Sequence, residues 1–387
     1  MSFIPYGRQS IDKEDIEAVA EVLRSDYLTT GPKVAEFEQA ICSYTGAKYA
    51  VAVANGTAAL HLASLALLKE GERVLTTPNS FVATSNGILY AGGEPVFCDI
   101  AEDGNIDLDL CEEMIKKDRT IKALYAVHFS GNPVSQLRLK HLKETYGIKI
   151  LEDCAHSIGA RDEGVRAASC YASDCSILSF HPVKHLTTGE GGAVTTNSKE
   201  IYDRVMKLRT HGIVRDGFTE DSMAYDEKGN HNPWYYEMQD LGYNYRITDI
   251  QCALGLSQFR KLDGFIMRRH DIAKKYDREF SEAIVRPLYG FDIRSSYHLY
   301  VARTDFDITG MSRAEFFMKM REKNIGLQLH YIPINRQPYY RSLGYGDEHT
   351  PVMDSYYSEC FSLPMYPALS DVEQDYVIDS VKEVLGG

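Results

Sequence analysis

The sequence of 387 residues has little that would tie it to a membrane or to nucleic acid. It has no uninterrupted apolar run of about 18 residues, so we expect no transmembrane helix. The segment Met1–Arg8 lacks the basic and apolar regions of a secretory signal peptide, which favours a cytoplasmic protein. Lys and Arg number 42 against 55 Asp and Glu, a net charge of −13. This acidic balance argues against general nucleic-acid binding, which depends on basic surfaces.

Clustered cysteines are lacking as well. The eight cysteines are scattered and none forms a C-x-x-C pair. A chain of this length needs no disulfides, and several cysteines fall inside apolar runs, so we expect buried reduced thiols. Zinc requires clustered ligands. The closest pair, Cys170 and Cys175, has only the loosely placed His156 as a third candidate, and we therefore expect no metal site.

The first two thirds of the chain alternate strand and helix patterns. A helix is predicted after Asp12, a plausible N-cap, and others at 57–68, 82–90, 108–117 and 137–146. The predicted strands are 49–54, 73–77, 95–100, 121–127, 148–152, 176–180 and 193–196. Strands joined by helices of this length imply right-handed crossovers and a mostly parallel sheet, so the fold class is α/β.

Ligands of such sheets bind at the carboxyl ends of the strands. Polar and basic residues gather at these places in the sequence. The segments that directly follow predicted strands are 55–57, 78–81, His128, Asp153 and 179–184. We expect the functional site among them.

The pattern changes after Thr248. A long helix is predicted over 249–283, with a break near Gly264, followed by shorter strands and helices typical of a smaller α+β unit. We therefore expect a large domain of residues 1–255, N-terminal arm included, and a small domain of residues 256–387. The polar segment 216–232 is predicted to be a surface loop.

The segment Ser179–Gly192 carries the strongest chemical signal. Its lysine, Lys184, follows a predicted strand, and Gly189, Gly191 and Gly192 allow close backbone approach. A single loop lysine is most often only solvated. At the ligand-binding edge of the sheet, however, burial or a neighbouring cation can keep a lysine partly unprotonated, as formation of a Schiff base requires.

Two further segments support this hypothesis. Asp153 ends a buried strand, where an acid is either a helix N-cap or a ligand group. A carboxylate near Lys184 would suit the pyridine nitrogen of pyridoxal phosphate. The segment Asn55–Thr57 opens a helix whose free N–H groups and hydroxyl suit a phosphate, although Thr57 is also an ordinary N-cap.

Together these segments resemble the DegT/DnrJ/EryC1/StrS family of sugar aminotransferases. The resemblance extends through nearly the whole chain in the family's order. The matching segments are 28–32, 55–60, 81–84, 152–156, 179–192 and 242–251. The resemblance implies the fold type I of pyridoxal-phosphate enzymes, with a large domain, a mostly parallel central sheet and a smaller α+β C-terminal domain.

The resemblance also implies roles by position. Lys184 would form the Schiff base with pyridoxal phosphate and act as acid and base, Asp153 would pair with the pyridine nitrogen, and Phe81 would stack on the ring. His156 would lie near the phenolic oxygen, where many relatives have Gln. The residues implied to hold the phosphate are Thr57, Ala58 and Ser179, with Asn244 reaching the cofactor of the second subunit of a homodimer. The residues implied to line the sugar-nucleotide site are Tyr6, Tyr27, Leu28, Thr29, Thr30, Gln328, His330 and Tyr331.

The implied reaction transfers the amino group of L-glutamate to C4 of a nucleotide-linked 4-keto-6-deoxy sugar. The segments 81–86, 103–107, 297–300 and 328–334 are most similar to the C4-aminotransferases of the pseudaminic acid pathway. Their substrate is UDP-2-acetamido-2,6-dideoxy-β-L-arabino-hex-4-ulose. Other UDP-, dTDP- or GDP-linked ketosugars, or amination at C3, are the alternatives. A 3-dehydratase of this family would have histidine in place of Lys184, and the acidic charge disfavours a DNA-binding regulator. Tyr6 and Tyr331 could instead be half-buried aromatics.

Overall fold

The computed structural model describes residues 2–280 and 284–386. The first part of the chain alternates helices and strands, as its sequence predicts. Its helices are α1 (Lys13–Leu23), α2 (Pro32–Thr45), α3 (Gly56–Leu67), α4 (Ala83–Tyr90), α5 (Leu108–Lys117), α6 (Gln136–Tyr146), α7 (Lys199–Arg209) and α8 (Asp221–Ala224). Its strands are β1 (Tyr49–Val53), β2 (Arg73–Thr76), β3 (Glu94–Phe97), β4 (Ile121–Val127), β5 (Lys149–Asp153), β6 (Arg161–Asp162), β7 (Val165–Arg166), β8 (Cys175–Ser179), β9 (Gly192–Thr196), β10 (Ile213–Val214) and β11 (Glu237–Met238).

The last part of the chain is mainly helical and contains three further strands. Its helices are α9 (Asp249–Phe259), α10 (Leu262–Glu279), α11 (Phe306–Thr309), α12 (Arg313–Glu322), α13 (Pro338–Ser342), α14 (Pro351–Glu359) and α15 (Asp371–Leu385). Its strands are β12 (Arg286–Pro287), β13 (Tyr300–Arg303) and β14 (Cys360–Leu363). Two 3₁₀ turns, Phe129–Gly131 and Ile334–Arg336, complete the described elements.

A seven-stranded sheet in the order β1-β9-β8-β5-β4-β2-β3 forms the centre of the molecule. The strands β3, β2, β4, β5 and β8 pair in parallel, whereas β9 is antiparallel to both β8 and β1. The predicted α/β class and mostly parallel sheet are confirmed. Helix α3 is buried over most of its length, as its nearly continuous apolar sequence indicates, and packs beside β8 and β9.

A second hydrophobic core lies around the small sheet β12-β13-β14. It takes buried side chains from α10, α12 and α15, and also the N-terminal Ile4, whose backbone pairs with Ile325. The N-terminal arm therefore packs on the C-terminal part of the chain. The predicted boundary at residue 255 stays a prediction.

The long predicted helix ends and restarts at Arg260–Lys261, three residues before the predicted break, and Gly264 lies inside α10. The reason is a tertiary contact. Lys261 Nζ binds Asp12 Oδ2 at 2.7 Å and Asp15 Oδ2 at 2.6 Å, so the junction is held against α1. The predicted end of this helix at Ala283 lies outside the described residues.

The segment 216–232 is largely exposed, as predicted, but contains the short helix α8. No helix in the described ranges combines the length and apolarity that a membrane crossing needs.

Substitution by alanine should have opposite effects on stability at two glycines, one in α9 and one in α10. A Cβ on Gly255 would lie 2.5 Å from Phe37 Cε2 and 2.8 Å from Thr188 Cγ2, so Gly255→Ala should destabilise the protein by about 1–3 kcal/mol. A Cβ on the exposed Gly264 meets nothing within 4 Å, so Gly264→Ala should stabilise it by about 0.5–1 kcal/mol. Thermal unfolding midpoints check both, and a lower midpoint for Gly264→Ala than for Gly255→Ala would contradict the packing described.

Candidate active site

Lys184 lies in the loop that follows β8, at the carboxyl edge of the central sheet. The loop leads back into the antiparallel β9 and is closed by the backbone of Phe180. The Phe180 N–H donates to Gly191 O at 2.9 Å, and its carbonyl accepts from Thr188 N at 3.0 Å. Because β5 is the parallel neighbour of β8, this closed loop holds Lys184 near the carboxyl end of β5.

Asp153 is the last residue of β5 and is buried. Its Oδ2 accepts from Thr84 Oγ1 at 2.7 Å, and its Oδ1 accepts from Ala155 N at 3.1 Å. The residues that follow form turns, so Asp153 is not the cap of a helix. Burial raises the pKa of Asp153, although its two donors and the charge of Lys184 oppose this shift.

The amine of Lys184 is partly buried, and its Nζ lies 3.5 Å from His298 Nε2. Burial lowers the pKa of Lys184 to about 8, against the effect of the Asp153 carboxylate, while the charge of Arg269 lowers it further. Such an amine is partly unprotonated near neutral pH. This is the state that a nucleophilic lysine requires.

Four buried imidazoles lie around this amine: His156, His185, His298 and His330. The ring centroids of His156 and His298 are 4.3 Å apart, and those of His185 and His298 are 5.7 Å apart. Burial lowers the pKa of each, that of His330 to about 3. The group is therefore neutral at physiological pH and adds no positive charge beside Lys184.

An anion cradle lies at the start of α3, close to the end of β8. A Cβ on Gly56 would approach Ser179 Oγ to 3.1 Å, so the hydroxyl of Ser179 faces the first turn of the helix. The N–H groups of a first helical turn lack partners within the helix and attract anions. Asn55 caps the helix, since its Oδ1 accepts from Ala58 N at 2.8 Å. The interpretation of Thr57 as the N-cap is therefore wrong.

Three rings form a chain of contacts that we call the aromatic wall: His156, Tyr331 and Phe81. The Tyr331 hydroxyl lies 3.2 Å from His156 Nε2, and the two rings are nearly parallel with centroids 6.2 Å apart. Phe81 precedes α4 with 59% of its surface exposed, and its ring centroid lies 6.4 Å from that of Tyr331. The ring of Tyr331 therefore neighbours both His156 and Phe81.

Some of the residues predicted to line the sugar-nucleotide site lie next to this wall. The Tyr6 ring centroid lies 5.4 Å from that of His330, whose Nδ1 lies 2.8 Å from Ser362 Oγ. Gln328 is exposed and its backbone pairs with that of Ser362. The structure thus brings Tyr6, His330 and Tyr331 together with His156.

The segment Tyr27–Thr30 is exposed and lies apart from that group. Its position is fixed by Asp249, whose N–H donates to Leu28 O at 3.0 Å and whose carboxylate accepts from Gly31 N at 2.8 Å. Within the described residues no hydrogen bond or ring contact joins this segment to Tyr6, His330 or Tyr331. Asn244 is also exposed, and its backbone pairs with Thr210.

Three residues of the site received no role from sequence reasoning. Thr84 and His298 lie in segments that resemble the family, and only their contacts reveal what they do. Arg269 gave no signal, because an arginine in an amphipathic helix is ordinarily solvated. Here it is buried, and its Nη1 donates to the carbonyl oxygens of Tyr297, His298 and Met365.

A sequence model of the DegT/DnrJ/EryC1/StrS aminotransferase family matches residues 9–382. The chain belongs to this family. It is an aminotransferase, and its fold is that of the solved members of the family. The resemblance deduced from its motifs is confirmed over almost the entire length.

Individual relatives agree with this assignment. A UDP-4-amino-4,6-dideoxy-N-acetyl-beta-L-altrosamine transaminase of Campylobacter jejuni is 37% identical, covering 99% of this chain and 97% of the relative. The spore coat polysaccharide biosynthesis protein SpsC of Bacillus subtilis is 36% identical, covering 100% and 98%. Among solved structures, Helicobacter pylori PseC, an aminotransferase involved in the biosynthesis of pseudoaminic acid, has a TM-score of 0.90 at 30% identity, with 100% of both chains covered. Spr1654 of Streptococcus pneumoniae in its PLP form has a TM-score of 0.87 at 28% identity, with 99% of both chains covered.

The capping of α3 is tested by two neighbouring substitutions. Asn55→Ala removes the acceptor for Ala58 N and should cost about 1 kcal/mol. Thr57→Ala removes a hydroxyl that caps nothing and should cost less. Hydrogen exchange at the first-turn amides of the cofactor-free protein checks this. Faster exchange in Thr57→Ala than in Asn55→Ala would contradict the assignment.

Proposed function

We propose that this aminotransferase uses pyridoxal phosphate to transfer the amino group of L-glutamate to C4 of a UDP-linked 4-keto-6-deoxy sugar. The substrate we favour is UDP-2-acetamido-2,6-dideoxy-β-L-arabino-hex-4-ulose. The observation that carries the proposal is the pair at the carboxyl edge of the sheet. A lysine with its pKa lowered to about 8 stands opposite a buried carboxylate, Asp153.

The residues present fit pyridoxal phosphate. Asp153 is buried where the carboxylate for a pyridine nitrogen is needed, and Thr84 and Ala155 orient it. The cradle at the start of α3 offers N–H groups and the Ser179 hydroxyl to a phosphate, with Thr57 and Ala58 in the same turn. Phe81 would stack on the ring, and His156 would lie near its phenolic oxygen. When bound, the cofactor supplies an electrophilic carbon for the amine and an electron sink.

Lys184 is the group that moves protons in this site. Its Nζ, unprotonated in part near neutral pH, would move a proton from the amino-bearing carbon of the donor to the bound cofactor in the first half, and from the cofactor to the sugar carbon in the second. In the first half L-glutamate gives up its amino group and leaves as 2-oxoglutarate, and in the second the ketosugar receives that group at C4. Thr84 and the Ala155 N–H hold the Asp153 carboxyl group in place through both halves.

The sugar nucleotide would lie against the aromatic wall. The residues that would contact it there are Tyr6, His330 and Tyr331, with the exposed Gln328 beside them. The exposed segment of Tyr27, Leu28, Thr29 and Thr30 would close over it. Burial keeps Tyr6 and Tyr331 protonated by raising the pKa of each, so their hydroxyls can donate to sugar or phosphate oxygens.

A homodimer would complete the site. Asn244 is exposed and far along the chain from Lys184, and it would reach the phosphate held by the partner subunit. Exposed apolar side chains support a covered surface in the same part of the chain. They include Trp234, Tyr236, Met238 and Leu241, the last with 79% of its surface exposed.

The nucleotide and sugar are the finer part of the proposal. Two relatives with different names, the altrosamine transaminase and the spore coat protein SpsC, are 37% and 36% identical to this chain. Such similar identities do not distinguish substrates. The resemblance to PseC favours the pseudaminic acid pathway, and the name of the altrosamine transaminase favours a UDP-linked sugar. Other UDP-, dTDP- or GDP-linked 4-ketosugars are the alternative.

A direct comparison of acceptors tests the substrate. The purified protein, pyridoxal phosphate and L-glutamate are incubated with UDP-, dTDP- and GDP-linked 4-ketosugars, and the product configuration is determined by NMR. We expect a 4-amino sugar from the UDP-linked 4-keto-6-deoxy-N-acetylhexosamine. Amination of only a dTDP- or GDP-linked sugar would overturn the substrate assignment and leave the reaction class intact.

Lys184→Ala should lower turnover by at least about 10²–10⁴-fold, because it removes the amine to which the proton transfer is assigned. Lys122→Ala is a matched control, since this exposed lysine makes only a 2.9 Å bond to Arg119 O. Release of 2-oxoglutarate measures the rate. Normal turnover by Lys184→Ala would refute the proposed role.

A further inference from the structure

Four successive backbone carbonyls beside Lys184 each accept a hydrogen bond from a buried side chain. We call this segment, Ser295–His298, the strap. Ser295 O accepts from His270 Nε2 at 2.7 Å, and Ser296 O accepts from His185 Nε2 at 2.9 Å. The carbonyls of Tyr297 and His298 accept from Arg269 Nη1 at 3.2 and 3.0 Å. All four carbonyls of the strap are thus held by buried side chains.

The strap joins α10 to the catalytic lysine. His185, which takes the carbonyl of Ser296, directly follows Lys184 in the chain. At the end of the strap His298 Nε2 lies 3.5 Å from Lys184 Nζ. Ser296 Oγ also donates to His156 O at 3.3 Å. The strap therefore contacts both Arg269, through the carbonyls of Tyr297 and His298, and Lys184, through the His298 side chain.

The charge of Arg269 has no counter-ion. Its side chain is 0% exposed, its only hydrogen-bond partners in the described residues are three carbonyl oxygens, and its Nε and Nη2 are without partners. Arg303 provides the contrast, because this buried arginine forms ion pairs with Glu359 and Glu102. A buried charge without a partner is costly, which suggests that Arg269 serves a purpose other than stability.

The effect of the Arg269 charge on the Lys184 amine depends on the other ionisable groups around that amine. They comprise one carboxylate, Asp153; one guanidinium, Arg269; and the imidazoles His156, His185, His298, His330 and His181. Burial lowers the pKa of each imidazole, so all five are neutral at physiological pH. Arg269 is then the one cation among these groups that opposes protonation of the amine.

We propose that Arg269 is a positioning residue that fixes the strap, and with it His298, against Lys184 and supplies the positive charge that keeps this amine reactive. Repulsion between like charges disfavours the ammonium form, and a neighbouring cation is an established way of activating a lysine. The inference rests on the proposed role of Lys184. Replacement of Arg269 should therefore change the titration of the amine as well as the catalytic rate.

Trace acetylation of the cofactor-free protein tests this without any turnover. The protein is treated with a small amount of acetic anhydride between pH 5 and 11, and peptide mass spectrometry gives the labelling midpoint of each lysine. In the wild type we expect Lys184 to titrate near 8, whereas an ordinary exposed lysine titrates near about 10.4. Arg269→Met should raise the Lys184 midpoint by about one pH unit or more, about a tenfold loss of labelling at pH 7.5. Arg269→Lys keeps the charge and should retain most of the wild-type midpoint.

Three results would overturn the proposal. The first is a wild-type Lys184 with the same labelling midpoint as Lys122. The second is an equal shift of the Lys184 midpoint in Arg269→Met and Arg269→Lys, and the third is no shift of that midpoint in either variant. Near-UV circular dichroism confirms that each variant is folded. If Arg269→Met does not fold, the wild-type midpoint still decides whether the amine is perturbed at all. Because labelling needs neither cofactor nor sugar, its failure is distinguishable from a failure of the proposed reaction.

Discussion

The Lys184 amine faces a single carboxylate, Asp153, while the other ionisable groups packed around it are neutral or positive. This imbalance of charge is the condition on which the site depends, because it leaves the amine partly unprotonated and still orients it. Two parts of the fold create it. The parallel pairing of β5 with β8 brings Asp153 and the Lys184 loop to one edge, and α10 with the strap adds Arg269 and His298 from the C-terminal part of the chain.

On the opposite face of β5, the side chain of Glu152 helps to fix the end of the strand that carries Asp153. Side chains alternate along a strand, so Glu152 points away from the site. Its carboxylate accepts from His128 Nε2 at 2.9 Å and from Gln136 Nε2 at 2.5 Å, and Ser173 Oγ donates to its second oxygen. Glu152, His128 and Cys154 offer ligand atoms within 4.8 Å of one another, yet both oxygens of Glu152 already have donors. The cluster is explained as a hydrogen-bonded support for the end of the strand.

Local sequence patterns were sufficient for the main elements and for the site's central pair. Strands β1, β2, β4, β5, β8 and β9 lie within one residue of their predicted ends, and β3 ends three residues earlier than predicted. The rule that ligands bind at carboxyl ends pointed to Lys184 and Asp153. Features that depend on distant contacts were not predictable. The break before α10 lies where Lys261 pairs with α1, and Arg269 donates to carbonyls that no residue pattern identifies. The capping of α3 is local, but Asn55 and Thr57 are both good caps and the pattern did not distinguish them.

The most direct test of the central claim is to find the lysine that binds the cofactor. The protein is loaded with pyridoxal phosphate, reduced with borohydride and digested, and the peptides are examined by mass spectrometry. We predict one modified peptide, with the phosphopyridoxyl group on Lys184. Modification of another lysine in preference to Lys184, or the absence of any stable adduct, would contradict the account.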